Sequence, residues 1–255
     1  MALNATDDAG NISSIDANDL SLGTSLQLKV KEKVVPVIAV TSPTASSRLT
    51  NNKPVITWTC TDDDSGIDES TIKITIDSQS AITSGITKTQ IVGGYQCSYT
   101  PSAALSDGSH TVKFDVSDND GNVAVQKSVS FTVDTIAPTM SVSSPEDGLI
   151  TNNKTITVSG STNDATSSPV TVKIKVNTGA EQTVDVSNGS FSKQIELSAG
   201  VNTITVTATD AAGKTTTITR TVTLDTGAPI FRSVRISPNP VDAGATFIIS
   251  VEVVD

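Results

Sequence analysis

The chain has 255 residues and a formal net charge of -10, and it contains only 17 Lys and Arg. This length exceeds that of one ordinary hydrophobic core, so we expect more than one domain. The acidic balance argues against the basic face that nucleic acids and anionic membranes require, so we predict no nucleic-acid partner and no membrane insertion. Thr, Ser, Val and Ile are abundant and aromatic residues are few, which favours strands over helices.

The N-terminal segment repeats a pattern that returns near the end of the chain. Residues 5–11 (ATDDAGN) match residues 208–214 (ATDAAGK), and Leu26, Leu28 and Val30 then alternate with polar residues as a strand would. We therefore predict a partial unit over residues 1–35 that holds only a closing hairpin. The first residues have neither the basic nor the apolar region of an export signal, so the chain as written is not expected to be secreted by that route.

Residues 36–134 show the period-two alternation of half-buried strands. The apolar positions that we expect to face inward are Ile56, Trp58, Cys60, Ile72, Ile74, Ile76, Val112, Phe114, Val116, Val129, Phe131 and Val133. Gly and Asp-Gly turns separate these runs, and about seven short strands result. We predict a complete domain here.

A second complete domain is predicted over residues 138–225, because the motifs of the first return about 100 residues later. "VTSP" at Val40 returns as "VSSP" at Val142, and "TNNK" at Thr50 returns at Thr151. Residues 229–255 then match only the opening of a unit. Their apolar run of Phe247, Ile249, Val251 and Val253 would be an aggregation hazard as an unpaired edge, so we expect a partner strand to cover it.

The motifs "TNNKP", "DDDSGID", "LSDGSHTV", "DNDGN" and "DTxAP" resemble tandem bacterial immunoglobulin-like (Ig-like) repeats, which occur in cell-surface proteins and in phage tail or fibre proteins of Gram-positive hosts. The resemblance implies an all-β fold of tandem antiparallel β-sandwiches with partial Ig-like hairpins at both termini. It covers nearly the whole chain, but the motifs are turn sequences and specify the fold better than the role.

Two acidic loops are candidates for a calcium site. Asp62, Asp63 and Asp64 follow the second strand of the first domain, and Asp118 and Asp120 lie between its last two strands. In an Ig-like sandwich these loops share one end, where they would offer the hard oxygen ligands that calcium prefers. The alternative is that they are turn residues that bond their own backbone, because the second domain has only Asn163, Asp164 and Asp210 at the equivalent places.

The remaining reactive residues are expected to be structural. Cys60 and Cys97 are predicted to be buried free thiols, because the second domain has no cysteine. Trp58 is expected in the core, and His110 in a surface turn, since it aligns with Asn202. No set of acid, base or nucleophile residues forms a catalytic motif, so we predict that the chain is not an enzyme and has no cofactor other than calcium.

Two functions remain open on the sequence. The first is a structural or adhesive virion component, in a phage tail, fibre or baseplate, that attaches by strand addition at its termini to other structural proteins or to copies of itself. The strands expected to take part contain Leu26, Leu28, Val30, Phe247, Ile249, Val251 and Val253. The alternative is a stalk or binding module of a bacterial surface adhesin or glycan-active enzyme, located outside the cell. A host-surface glycan is a further candidate ligand, and Tyr95, Tyr99, Phe231 and Phe247 are its candidate stacking residues.

Overall fold

A computed structural model of the chain describes residues 2–6, 8–16, 31–237, 239–240 and 242–254. Leu26, Leu28 and Val30, predicted as partner-binding residues, lie outside the described residues. The chain divides into two compact units, and the main segment of the second runs from Thr132 onward. Among the described residues nearly all regular structure is β-strand, and one 3-10 helix spans Glu69–Thr71.

An antiparallel hairpin forms the N-terminal part of the first unit. It consists of β1 (Ala2–Thr6) and β2 (Ile12–Asp16), with Thr6 opposite Ile12 across a short turn. The hairpin was predicted from the match to residues 208–214, but its second strand follows directly after the turn.

The first sandwich, which accounts for most of the first unit, is built from eight strands: β3 (Val37–Ser42), β4 (Arg48–Leu49), β5 (Ile56–Thr61), β6 (Lys73–Ile76), β7 (Thr87–Ile91), β8 (Gly94–Tyr99), β9 (Gly108–Asp115) and β10 (Lys127–Val133). One sheet has the order β3-β5-β8-β7 and the other the order β4-β10-β9-β6. The pairs of the first sheet and the pair of β6 with β9 are antiparallel, whereas β4 pairs with β10 in parallel. Apart from Val129, which is half-buried, every predicted inward residue lies in the core.

The second unit contains nine further sandwich strands: β11 (Thr139–Ser144), β12 (Leu149–Thr151), β13 (Thr155–Asn163), β14 (Thr171–Val176), β15 (Gln182–Val184), β16 (Val186–Ser187), β17 (Ser190–Glu196), β18 (Gly200–Thr209) and β19 (Thr215–Leu224). Its sheets have the orders β11-β13-β17-β16 and β12-β19-β18-β14-β15. The short β12 pairs with β19 in parallel, as β4 does with β10. The two sheets enclose a core of Val, Ile, Leu and one Phe side chain.

The two cores differ in where large and small side chains lie on their paired central strands. Gly160 lies opposite Val142, as Trp58 lies opposite Val40 in the first unit. A Cβ added to Gly160 would lie 2.6 Å from the ring of Phe191 and 2.0 Å from the carbonyl oxygen of Ser141. Phe191 therefore occupies the space that a side chain at position 160 would need. In the first unit the large side chain is Trp58 and the small one opposite it is Cys97, whereas in the second unit Gly160 is opposite the large Phe191.

A C-terminal hairpin follows the second sandwich. It pairs β20 (Ile230–Ser237) with β21 (Ile248–Val254) in antiparallel orientation. A bulge at Arg232 shifts the register, so that Phe231 lies opposite Val253. Side chains opposite each other in a sheet lie on the same face, and the bulge therefore places Phe231 on the same face as Val234 and Ile236.

Candidate functional site

A cluster of three carboxylates lies in the first unit. Glu32 precedes β3, Asp62 follows β5, and Asp118 lies in the loop between β9 and β10. One carboxylate oxygen from each residue lies within 4.8 Å of the other two. Asp62 and Asp118 are buried and Glu32 is half-buried. The prediction that the two acidic loops share one end of the sandwich is consistent with this geometry.

Asp62 and Asp118 each use one carboxylate oxygen to shape their own loop. Oδ1 of Asp62 accepts hydrogen bonds from the backbone N–H groups of Asp64, Ser65 and Gly66, at 3.2, 3.0 and 2.9 Å. Oδ1 of Asp118 likewise accepts from the N–H groups two and four residues ahead, at 2.9 and 2.8 Å. Such Asx turns leave the second oxygen free to point elsewhere.

Glu32 is held over these loops by side-chain hydrogen bonds. Its Oε1 accepts from the hydroxyl of Ser65 at 3.1 Å and from the amide of Asn122 at 3.2 Å, and the same amide donates to Oδ2 of Asp118 at 2.7 Å. Desolvation, together with a hydrogen bond to Asp118, raises the pKa of Glu32. Desolvation alone would raise the pKa of Asp118, but hydrogen bonds from Asn122 outweigh it and lower that pKa.

The second unit repeats this cluster with Asp134, Asp164 and Asp210. Oδ1 of Asp164 accepts from the N–H groups of Thr166 and Ser167 at 2.8 and 2.6 Å, and Oδ1 of Asp210 accepts from the N–H groups two and four residues ahead at 2.8 and 2.9 Å. Oδ1 of Asp134 accepts from the N–H of the residue two ahead at 3.2 Å. In all three aspartates, as in Asp62, Oδ1 therefore accepts hydrogen bonds from the backbone of its own loop.

The predicted calcium ligands are only partly brought together. Asp62 and Asp118 belong to the first cluster, whereas Asp63 and Asp64 are exposed and lie outside it. The carboxylate of Asp120 accepts a hydrogen bond from the backbone N–H of Glu32 at 3.1 Å and supports the cluster from outside.

Sequence reasoning missed Glu32 and Asp134 as cluster members, and it gave the second unit too little weight. A signal was available, because each of these acidic residues stands four positions before a proline, Pro36 or Pro138, that leads into the opening strand. The recurrence of that spacing indicates a repeated position rather than a random surface charge.

The two cysteines are buried and free, as predicted. They lie on adjacent strands, β5 and β8, with their Sγ atoms 3.9 Å apart. A hydrogen bond with Cys97, together with desolvation, raises the pKa of Cys60, so this thiol is protonated at neutral pH. Trp58 is also in the core, as predicted, and its ring packs against Phe114 with a centroid distance of 5.2 Å.

The prediction that His110 lies in a surface turn is wrong. His110 is on β9 and only 6% exposed, its Nδ1 lies 2.8 Å from Oδ2 of Asp77, and its ring packs against Phe131. The physical reason is that His110 shares the inward face of β9 with Val112. The polar ring is tolerated at this buried position because Asp77 satisfies it.

The C-terminal hairpin exposes apolar side chains on both faces, with most of them on one face. The register places six apolar side chains on that face, and each is between 47% and 73% exposed: Phe231, Val234, Ile236, Ile249, Val251 and Val253. The opposite face is mixed. It exposes Ile230, Ile248 and Val254, together with Ser250 and Glu252, which pair across the strands with Arg235 and Ser233. Phe247 precedes β21 and is also exposed. Thus the four predicted partner-binding residues of the C-terminal segment are accessible.

Tyr95 and Tyr99, proposed from the sequence as stacking residues, are half-buried on β8. The hydroxyl of Tyr95 donates to Oε2 of Glu69 at 3.2 Å. No helix within the described ranges has the length and apolar character needed to cross a membrane.

Two family models match the chain in succession. Residues 32–135 match the model described as Bacterial Ig-like domain, and residues 138–226 match the model described as Glucodextranase, domain B. A segment of 126 residues, 49% of this chain, is 31% identical to Bacillopeptidase F of Bacillus subtilis (strain 168). The matched segment spans only 8% of the length of that protein.

Solved structures of similar architecture have low sequence identity to the chain. The fibronectin(III)-like modules of Clostridium thermocellum CbhA superpose with a TM-score of 0.43 at 16% identity, over 74% of this chain and 94% of that one. The SrpA adhesin R347E mutant from Streptococcus sanguinis gives a TM-score of 0.32 at 15% identity, over 74% and 95%. The two sandwiches show a fold of tandem β-sandwich domains, and residues 32–135 match a bacterial immunoglobulin-like domain.

Proposed function

We propose that this chain is a non-catalytic structural segment of a larger extracellular bacterial protein, in which Ig-like units act as spacers. The observation that carries the proposal is the repetition of one complete sandwich design, with the same short parallel strand pair and the same acidic cluster in both units. Repetition of a whole unit extends a chain without creating a cleft that is specific to one unit. The partial matches to glucodextranase domain B and to Bacillopeptidase F support the interpretation as an accessory module.

The attachment surface in this proposal is the apolar face of the C-terminal hairpin. Six exposed apolar side chains on one face of two paired strands need a cover, because a lone two-stranded hairpin is marginal in water. A second sheet, supplied by another structural protein or by a second copy of the chain, would pack on this face as the other layer of a sandwich. Strand addition at the edges of β20 and β21 would widen the hairpin at the same time. A glycan fits this face less well, since its six side chains offer no hydrogen-bonding group for sugar hydroxyls.

The virion role predicted from the sequence remains the second candidate for the location of this chain. It would use the same spacer units and the same hairpin face, so the two proposals differ in where the chain is found rather than in what its units do. None of the relatives described above adds support to a phage particle.

Immunogold labelling tests the proposed location. Antibodies raised against the two units would be applied to intact producing cells, to the culture medium and to any released particles. The proposal predicts label on the cell surface or in the medium. Label confined to tails or baseplates of released phage particles would instead establish the virion role and overturn the extracellular one.

A further inference from the structure

The acidic cluster of the second unit carries negative charge that the surrounding protein does not compensate. Asp134 is fully buried and Asp210 is 5% exposed, and in both residues Oδ2 has no hydrogen-bond partner. A buried carboxylate oxygen without a partner is costly, and three carboxylates within 4.8 Å of one another add mutual repulsion. Such an arrangement is expected where a cation supplies the missing partner.

A protein cation does not fill this role in the part of the chain that the structure describes. The ion pairs found there involve other carboxylates: Glu69, Asp77, Glu181, Glu196 and Glu252. A further unpaired group belongs to the same loops. Ser167 is fully buried with an unpaired Oγ, and its backbone N–H donates to Oδ1 of Asp164 while its carbonyl accepts from the N–H of Ala211.

We propose that Asp134, Asp164 and Asp210 bind a calcium ion in the second unit. The donors are all hard oxygens, which favour calcium or magnesium over transition metals. Oxygens within 4.8 Å of one another can reach one ion at the calcium–oxygen distance of about 2.3–2.6 Å, whereas magnesium requires about 2.0–2.1 Å and a stricter octahedron. The Asx turns fix one oxygen of each carboxylate and so preorganise the other.

The first unit provides an internal comparison at the equivalent positions. There the amide of Asn122 donates to both Asp118 and Glu32, so that Oδ2 of Asp62 is the buried carboxylate oxygen of the cluster that lacks a partner. The equivalent position in the second unit is Lys214, whose N–H bonds Asp210 as the N–H of Asn122 bonds Asp118. Since the Asn122 amide already satisfies two of the carboxylates, we expect the first cluster to bind calcium more weakly than the second.

The test uses the full chain, stripped with EGTA and titrated with CaCl2 by isothermal titration calorimetry. We expect a dissociation constant on the order of 10⁻⁴ to 10⁻³ M, the range of extracellular calcium modules. Asp210→Asn should weaken the tighter site at least tenfold. Asp185→Asn removes the same charge from an exposed position of the same unit and should leave the titration unchanged.

Thermal melting supplies a second readout that a merely structural role of Asp210 would not produce. In EGTA, Asp210→Asn should melt at or above the wild-type temperature, because it keeps the Oδ1 acceptor and removes one repelling charge. In saturating calcium the order should reverse, since wild type alone gains the ion. The proposal is overturned if calcium gives neither heat nor a shift in melting temperature, if Mg²⁺ at the same concentration acts equally, or if Asp185→Asn loses binding as well.

Discussion

Asp62 in the first unit and Asp164 in the second form the same loop-closing contact. Oδ1 of Asp62 accepts a hydrogen bond from the N–H of Ser65 at 3.0 Å, and Oδ1 of Asp164 accepts from the N–H of Ser167 at 2.6 Å, in both cases three residues ahead. The two aspartates thus organise the loop that follows the second long strand of each sandwich, and they place a carboxylate in the cluster at the same time.

A substitution of Asp62, studied without calcium, tests its role in organising the loop separately from its role in the acidic cluster. In EGTA, Asp62→Ala should lower the free energy of unfolding of the first unit by about 1–3 kcal/mol, because three backbone N–H groups lose their acceptor. Urea unfolding followed by circular dichroism measures this loss. The exposed Asp64→Ala is the control and should stay within about 0.5 kcal/mol of wild type. Equal effects of the two variants would show that the turn does not depend on Asp62.

Cys60 and Cys97 should be inert in the folded chain. Both side chains are fully buried, so a thiol reagent in solution cannot reach either sulfur atom while the chain is folded. In the absence of a reducing agent, Ellman's reagent should detect no thiol in the native chain and two thiols per chain after addition of guanidinium. The Cys97→Ser variant should show one thiol per chain after addition of guanidinium. Rapid colour from the native chain would contradict the buried location of the pair.

If the apolar face of the hairpin is a docking surface, substitutions on the two faces of β21 should have different effects. Val251→Lys places a charge on the apolar face, whereas Ser250→Lys places it on the opposite face of the same strand. If the face docks a second copy, analytical ultracentrifugation should show concentration-dependent association of wild type and Ser250→Lys, and at least a tenfold loss in Val251→Lys. Identical behaviour of the two variants would remove this face from the contact.

Much of the fold was accessible from the sequence because both sandwiches bury alternate residues. Runs such as Ile72, Ile74 and Ile76 have a period of two, and a strand is the structure that turns such a period into one buried face. His110 shows the limit of reading by residue type. It continues the period of Val112 and Phe114, but its burial depends on Asp77, a partner 33 residues away that no local pattern identifies.

The acidic clusters were only half predictable for a related reason. Asp62 and Asp118 lie in loops whose composition attracts attention, whereas Glu32 and Asp134 are single acidic residues in segments ahead of the opening strands. Their approach to the loops is a long-range result of folding. Exposed neighbours such as Asp63 and Asp64 have the same chemistry in sequence and differ only in the direction that the turn gives them.

Single-molecule force spectroscopy most directly tests the central claim, that the chain is a series of separately folded spacer units. When the full chain is stretched between its ends, we predict two major unfolding events, each releasing roughly 300 Å of contour length, as expected for about 90–100 residues. One event that releases the whole length, or a gradual extension without distinct events, would contradict the account.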